Sequence, residues 1–99
     1  MNMQNLMAQA QRMQRDIQKK QEEINKTEYS AASGAVNITI NGKKEIVNLT
    51  IDKSIINDAE DIEALEDMIK IAFNDALNKV NKDTESKMGV YAKGLNGLM

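Results

Sequence analysis

The stretch from Leu65 to Val80, LEDMIKIAFNDALNKV, constrains this chain more than any other. It holds the only Phe, Phe73, within the densest run of apolar residues. Ile62, Leu65, Ile69, Ala72, Phe73, Ala76 and Val80 recur at the steps of one helix face. Met68, Ile71 and Leu77 widen that stripe beyond an ordinary amphipathic face. A helix apolar over so broad an arc needs cover on two sides. One side is expected to close the monomer core, and Met68, Ile71 and Leu77 are the expected dimer interface.

Length sharpens this expectation. Asp58 is placed to cap the start of the helix, with Glu60, Asp61 and Glu63 in its first turns, where acids meet the positive end of the helix dipole. Lys79, Lys82 and Lys87 lie toward the other end, and Gly89 is placed to close it. A helix over 58–88 would be ~45 Å long, against roughly 30–35 Å for a compact domain of this size. Its far end must then lie against a second helix or a second chain.

That second helix is readable at the start of the chain. Met3, Leu6, Ala10, Met13, Ile17 and Ile24 form a heptad seam, with Lys20 as its one polar interruption. Gln, Met, Lys, Glu and Ala fill the rest, and no Gly or Pro interrupts it. On the same wheel Arg12, Lys19 and Lys26 share one line, with Arg15 beside them, on the face away from the seam. A charge stripe of this kind is more often a solvated face than a site. It is also what a run of phosphate contacts requires. The methionines of the seam read as core or dimer contact before they read as an adaptable binding surface.

Between the helices the chain reads as strands. Val36, Ile38 and Ile40 alternate with Asn37, Thr39 and Asn41, and Val47, Leu49 and Ile51 alternate with Asn48 and Thr50. Asn41-Gly42 marks the hairpin turn. A four-residue loop over 41–44 would set Ile40 against Glu45, Ile38 against Val47 and Val36 against Leu49, which pairs more apolar residues than a two-residue loop would. Tyr29 to Ala32 is a weaker first strand ending at Gly34. The long helix should cover the sheet face that carries Ile38, Val47 and Leu49.

The fold class is therefore α+β in a single domain over 1–99: a helix over 1–26, three antiparallel strands within 27–57, a long helix over 58–88, and a loosely ordered tail over 89–99. A chain of 99 residues with 3% aromatic content has little with which to build a large core. It has no Cys and no His, so disulfides, thiolate or imidazole ligands and the commonest general base are all absent, and oligomerisation is the stabilising device left. No apolar run approaches the ~20 residues of a membrane span, and the N-terminus lacks the pattern of a secretory signal. The reading is a cytoplasmic protein with no cofactor, no metal, no small-molecule substrate and no membrane partner.

The net charge is −2, the wrong sign for a nucleic-acid binder taken as a whole. The charge is segregated, however. Arg12, Arg15, Lys19, Lys20 and Lys26 outnumber Asp16, Glu22 and Glu23 in the first helix, whereas Asp58, Glu60, Asp61, Glu63, Glu66 and Asp67 follow one another with no base between them. The acidic run lacks the alternation and central Gly of a calcium loop, and helix-start electrostatics explain it better than a metal does.

Several segments together resemble the YbaB/EbfC family: LMAQAQRMQ at 6–14, QEEI at 21–24, ING at 40–42, ID at 51–52, LEDMIKIAFNDAL at 65–77 and KMG at 87–89. The resemblance runs over nearly the whole chain. It implies a small bacterial nucleoid-associated protein: a tweezer-like homodimer with protruding helical arms that binds double-stranded DNA. The chain departs from the family pattern at Lys44, where relatives often have a second Gly, at Lys53, where they usually have Pro, and in GLNGLM, which replaces a Pro-rich tail. The family motif carries core and interface and does not itself read bases. On this resemblance the DNA-binding residues expected are Arg12, Arg15, Lys19 and Lys26, with Lys79, Lys82 and Lys87 behind them. The expectation from a different class is a protein-interaction adaptor that uses the Met-rich arms.

Overall fold

Asn2 opens the first helix: its side-chain oxygen accepts the Gln4 N–H at 2.9 Å. Helix α1 runs over Met3–Lys26 and stops at Thr27, whose backbone is extended and whose hydroxyl donates to the Glu23 carbonyl at 2.6 Å. Three strands follow, β1 (Glu28–Ser33), β2 (Val36–Asn41) and β3 (Ile46–Ile51), then a short 3-10 turn over Lys53–Ile55 and helix α2 over Ala59–Leu98. This computed structural model describes the backbone of residues 2–98 and the side chains through Gly89. The expected order of a helix, three antiparallel strands and a long helix is the observed one.

The sheet has strand order β1-β2-β3, both pairings antiparallel. Gly34 takes φ +53° at the first central position of the two-residue β1–β2 turn, a conformation that favours Gly. The β2–β3 register differs from the expected one. Ile40 faces Ile46, Ile38 faces Leu49 and Val36 faces Ile51, with a bulge beside Ile40. The reason lies in the loop. Asn41 pairs with Glu45, its N–H reaching the Glu45 carbonyl at 3.0 Å, and its side-chain oxygen accepts from the Lys43 and Glu45 N–H groups. That leaves a three-residue loop whose last residue, Lys44, sits at φ 68°. A three-residue hairpin loop uses a left-handed residue at that place and inserts a bulge, which shifts every later pair. Apolar residues still face apolar residues, but across a loop one residue shorter than expected.

Gly42 in this loop has a separate reason. A Cβ there would lie 1.9 Å from the Ile24 carbonyl oxygen, so the turn packs backbone to backbone on the end of α1. Ile24 is fully buried, the only buried residue of α1. The arm is thus fastened to the sheet at one end only.

Helix α2 packs across β1 and β2. Ala72, Ala76 and Val80, all buried, meet Tyr29, Val36, Ile38 and Ile40 in the core. The two alanines let the helix approach the sheet closely. Strand β2 alternates cleanly between buried and exposed positions, but β3 does not: Val47 and Leu49, expected under the helix, are 51% and 40% exposed. The helix sits over two strands and leaves the third bare.

The molecule measures 71 × 23 × 13 Å with a radius of gyration of 19.8 Å, against ~13 Å for a compact chain of this length. Gly89 does not close α2. The helix continues through it to Leu98, so the 89–99 segment expected to be loosely ordered has helical backbone over all but Met99, which lies outside the described residues. No Pro stops it, and a lone Gly inside a helix costs only about 1 kcal/mol.

Candidate nucleic-acid interface

Beyond the sheet, α2 remains partly covered at Thr84, Lys87 and Met88, and α1 is partly covered at Met13, Ile17 and Lys20. The two helices pack against each other here, which buries the lower part of the heptad seam. Lys20 occupies a seam position and is half-buried, as its place between Ile17 and Ile24 implies. Nearer the tip the seam is open: Met3, Leu6 and Met7 are exposed, Met3 at 75%.

On the outer face of this arm Arg12, Arg15 and Lys19 are exposed, and Lys26 lies on the same line where α1 meets the sheet. Among the described residues none of the four is held in an ion pair. Arg15 borders a shallow dip formed with Gln11, Gln14 and Gln18, and Lys19 another with Asp16, Lys20 and Glu23. These are undulations of a helix surface, not pockets. Such a face offers a line of mobile cations that a polyanion meets without prior rearrangement.

The lysines of α2 are placed differently. Lys79 donates to the backbone carbonyl of Ser30 on β1. Lys87 pairs with Asp83 at 3.0 Å. Asp83 also accepts the hydroxyl hydrogen of Tyr29, the buried aromatic of β1. The Tyr29 hydroxyl, and after it Lys87, hold the Asp83 carboxyl below its usual range. Burial, reinforced by Asp83, pushes Tyr29 up to about 12. Lys82 is exposed and lines an open depression of about 320 Å³ with Ala31, Ala32, Asp75, Asn78 and Lys79. Of the three α2 lysines, then, two are tied to the fold.

The acidic run lies elsewhere. Asp58 accepts the Glu60 and Asp61 N–H groups at 3.0 and 3.2 Å, and the Asp61 carboxylate in turn accepts the Asp58 N–H at 3.1 Å. This reciprocal cap accounts for two of the six acids. The run occupies the first turns of α2, before Met68 meets the β1–β2 turn at Gly34 and Ala35. From Asp67 to Met88 the helix rises ~32 Å, so the acids stand well away from the paired arms. Among the described residues no group of three or more Asp or Glu is arranged to hold a metal ion.

The three residues expected at a dimer interface separate. Met68 and Leu77 pack against the monomer's own core, while Ile71 is 51% exposed. Two departures from the family pattern have simple local accounts. Lys44 adopts the left-handed backbone that a Gly would take without strain. Lys53 is the first residue of the 3-10 turn, and Asp52 caps that turn by accepting from the Ser54 hydroxyl and N–H. The first position of such a turn suits Pro or Lys alike.

A family model described as the YbaB/EbfC DNA-binding family matches residues 1–95. The chain belongs to the YbaB/EbfC DNA-binding family. Curated relatives named as nucleoid-associated proteins agree. One from Ruminiclostridium cellulolyticum is 46% identical over 98% of this chain and 85% of its own length. Another, from Enterococcus faecalis, is 39% identical over 98% and 94% respectively. Among solved structures, an uncharacterized protein of Helicobacter pylori superposes with a TM-score of 0.72 at 26% identity, over 100% of this chain and 99% of that one. YbaB/EbfC proteins bind DNA and are not enzymes, which places the chemistry of this molecule on its surface charges.

Sequence reasoning missed two features. The Tyr29–Asp83–Lys87 cluster joins residues 54 positions apart, and only its Asp83–Lys87 half was readable from i,i+4 spacing. The bare face of β3 did leave a signal: IVNLTI carries no charge on either side, which is unusual for a strand with one wet face.

Proposed function

We propose that this protein binds double-stranded DNA as a homodimer and acts in chromosome organisation and gene regulation, in the cytoplasm at the nucleoid. The observation that carries this reading is the line of Arg12, Arg15, Lys19 and Lys26, free of ion pairs among the described residues, on an arm that extends beyond the core. The arms of two copies would straddle the duplex, and their cations would replace counterions along the phosphates. Sequence preference would be weak, because no Arg or Asn cluster is set to read base edges. Lys82 would add to the footprint, and Lys79 and Lys87 would do so only by leaving their present partners. At the dimer contact Ile71 would supply free apolar surface on α2, with Met68 and Leu77 adding what their own core leaves open. Duplex affinity measured across a salt series tests the reading. Log affinity should fall with log salt at a slope of about −0.9 for each phosphate neutralised. Affinity indifferent to salt would sink it.

A second reading rests on the exposed Met3, Leu6 and Met7 at the arm tip, an apolar cluster suited to a protein partner. It predicts capture of one defined protein from a nuclease-treated lysate. Loss of every captured protein on DNA removal would favour the DNA reading.

A further inference from the structure

We infer that the two copies of the dimer join through β3, edge to edge and antiparallel, with Leu49 facing Leu49 of the second copy. This rests on the homodimer proposed above and names the surface that makes it. The two edges of the sheet differ. On β1 the outward carbonyl of Ser30 is occupied by Lys79. A lysine placed on an edge strand is a known guard against strand addition. On β3 no charge stands within Ile46–Ile51, and Ile46, Val47 and Leu49 are 56%, 51% and 40% exposed. A long, uncharged, apolar edge left open is a liability unless something pairs with it.

The hydrogen-bond pattern says which groups that edge offers. Asp52 N–H reaches the Ala35 carbonyl at 2.8 Å, one position beyond the Val36–Ile51 pair. Bonded and non-bonded pairs alternate in an antiparallel ladder. Asp52, Thr50 and Asn48 therefore direct their N–H and C=O groups at β2, and Ile51 and Leu49 direct theirs at the free edge.

A strand pairing with its own copy about a two-fold axis must place one residue opposite itself, because neighbouring positions in the ladder are not equivalent. Three centres lie within reach. Centring on Asn48 sets Glu45 against Ile51 of the second copy, and centring on Thr50 sets Val47 against Lys53. Centring on Leu49 sets Val47 against Ile51, Asn48 against Thr50 and Glu45 against Lys53. Only that register matches apolar with apolar, polar with polar and acid with base, and it does so twice by symmetry. It also gives Leu49 the bonded pairing its outward groups require. The strand is ~20 Å long, and the two sheets become one of six strands, an ordinary size.

The chain has no Cys, so single-cysteine variants report cleanly. In DNA-free buffer, mild oxidation of Leu49→Cys should give a disulfide-linked dimer, since bonded antiparallel partners lie ~5.5 Å apart at Cα. Asn48→Cys and Ile71→Cys should stay uncrosslinked. Leu49→Lys should keep the helical circular dichroism and raise the dimer dissociation constant roughly tenfold or more by light scattering. A dimer by light scattering that crosslinks through Ile71→Cys and not Leu49→Cys would overturn β3 pairing and leave the homodimer intact. A wild-type chain that is monomeric under these conditions would overturn the homodimer itself.

Discussion

Lys19 on α1 and Lys87 on α2 carry the same charge, and the helices that bear them pack together beyond the sheet, yet they are not equivalent. Lys87 sits 3.0 Å from Asp83, which in turn holds Tyr29 of the core. Lys19, with Arg12, Arg15 and Lys26, has no ionic partner among the described residues. Helix α2 commits two of its lysines to the joint between sheet and arm, and α1 leaves its basic line to solvent. A periodic basic stripe in a sequence does not separate these two uses. What separates them is whether the fold brings a carbonyl or a carboxylate within reach. The binding surface proposed here is accordingly narrower than the set of basic residues on the two helices.

The contrast between the helices breaks if α1 is released from the sheet. Gly42→Ala drives a methyl into the Ile24 carbonyl, and neither side of that contact is a flexible side-chain end. The variant should lose about 3 kcal/mol or more in urea unfolding, with early exposure of α1 to hydrogen exchange. Full stability would mean that the arm is not anchored there.

The α2 side can be tested at Tyr29. Tyr29→Phe removes the donor to Asp83, a hydrogen bond to a charged group, and should cost about 1–2 kcal/mol. The pH dependence has a defined sign. The Tyr29 value rises from 10.0 to about 12 on folding, so wild type's advantage over the Phe variant is complete below 10 and shrinks as pH climbs from 10 towards 12. Asp83 is shifted downward, so its share is present above the ordinary carboxylate range and is lost as pH falls through its lower folded value. Urea midpoints of both proteins across pH give the two limbs. An unchanged difference on the alkaline side would remove Tyr29 from the joint.

Two smaller changes sharpen the contrast from the stabilising direction. Lys44→Gly relieves a left-handed residue beside the α1 anchor and should raise stability by about 0.5–1 kcal/mol. Gly89→Ala, in α2 where a Cβ meets nothing within 4 Å, should do the same by about 0.5–1 kcal/mol. Both are read as shifts in urea midpoint at constant slope.

Much of this architecture was legible from local pattern. The heptad of α1, the alternation of β2 and the Asp58 cap each depend on neighbours in the chain, and each is found where the residues place it. What was not legible depended on contacts across the fold. The register of β3 turned on Lys44 accepting a left-handed backbone, which a lysine does not advertise. The cover on β3 departs from expectation because alternation tells which face of a strand is apolar, but not how far a helix extends across the sheet. The basic residues of the candidate site were all visible. Their division into free and engaged groups required Ser30 and Asp83, one far from Lys79 in sequence and the other recruited by Tyr29.

Whether the free cations of α1, rather than the lysines of α2, carry the DNA contacts is tested most directly by the salt dependence of duplex affinity. Two triple variants, Arg12→Ala/Arg15→Ala/Lys19→Ala and Lys79→Ala/Lys82→Ala/Lys87→Ala, are compared at equal folded fraction. The α1 variant should flatten the slope by about 0.9 for each phosphate it no longer neutralises, while the α2 variant should change it by about 0.9 at most. A flattened slope for the α2 variant with an unchanged one for the α1 variant would contradict this assignment.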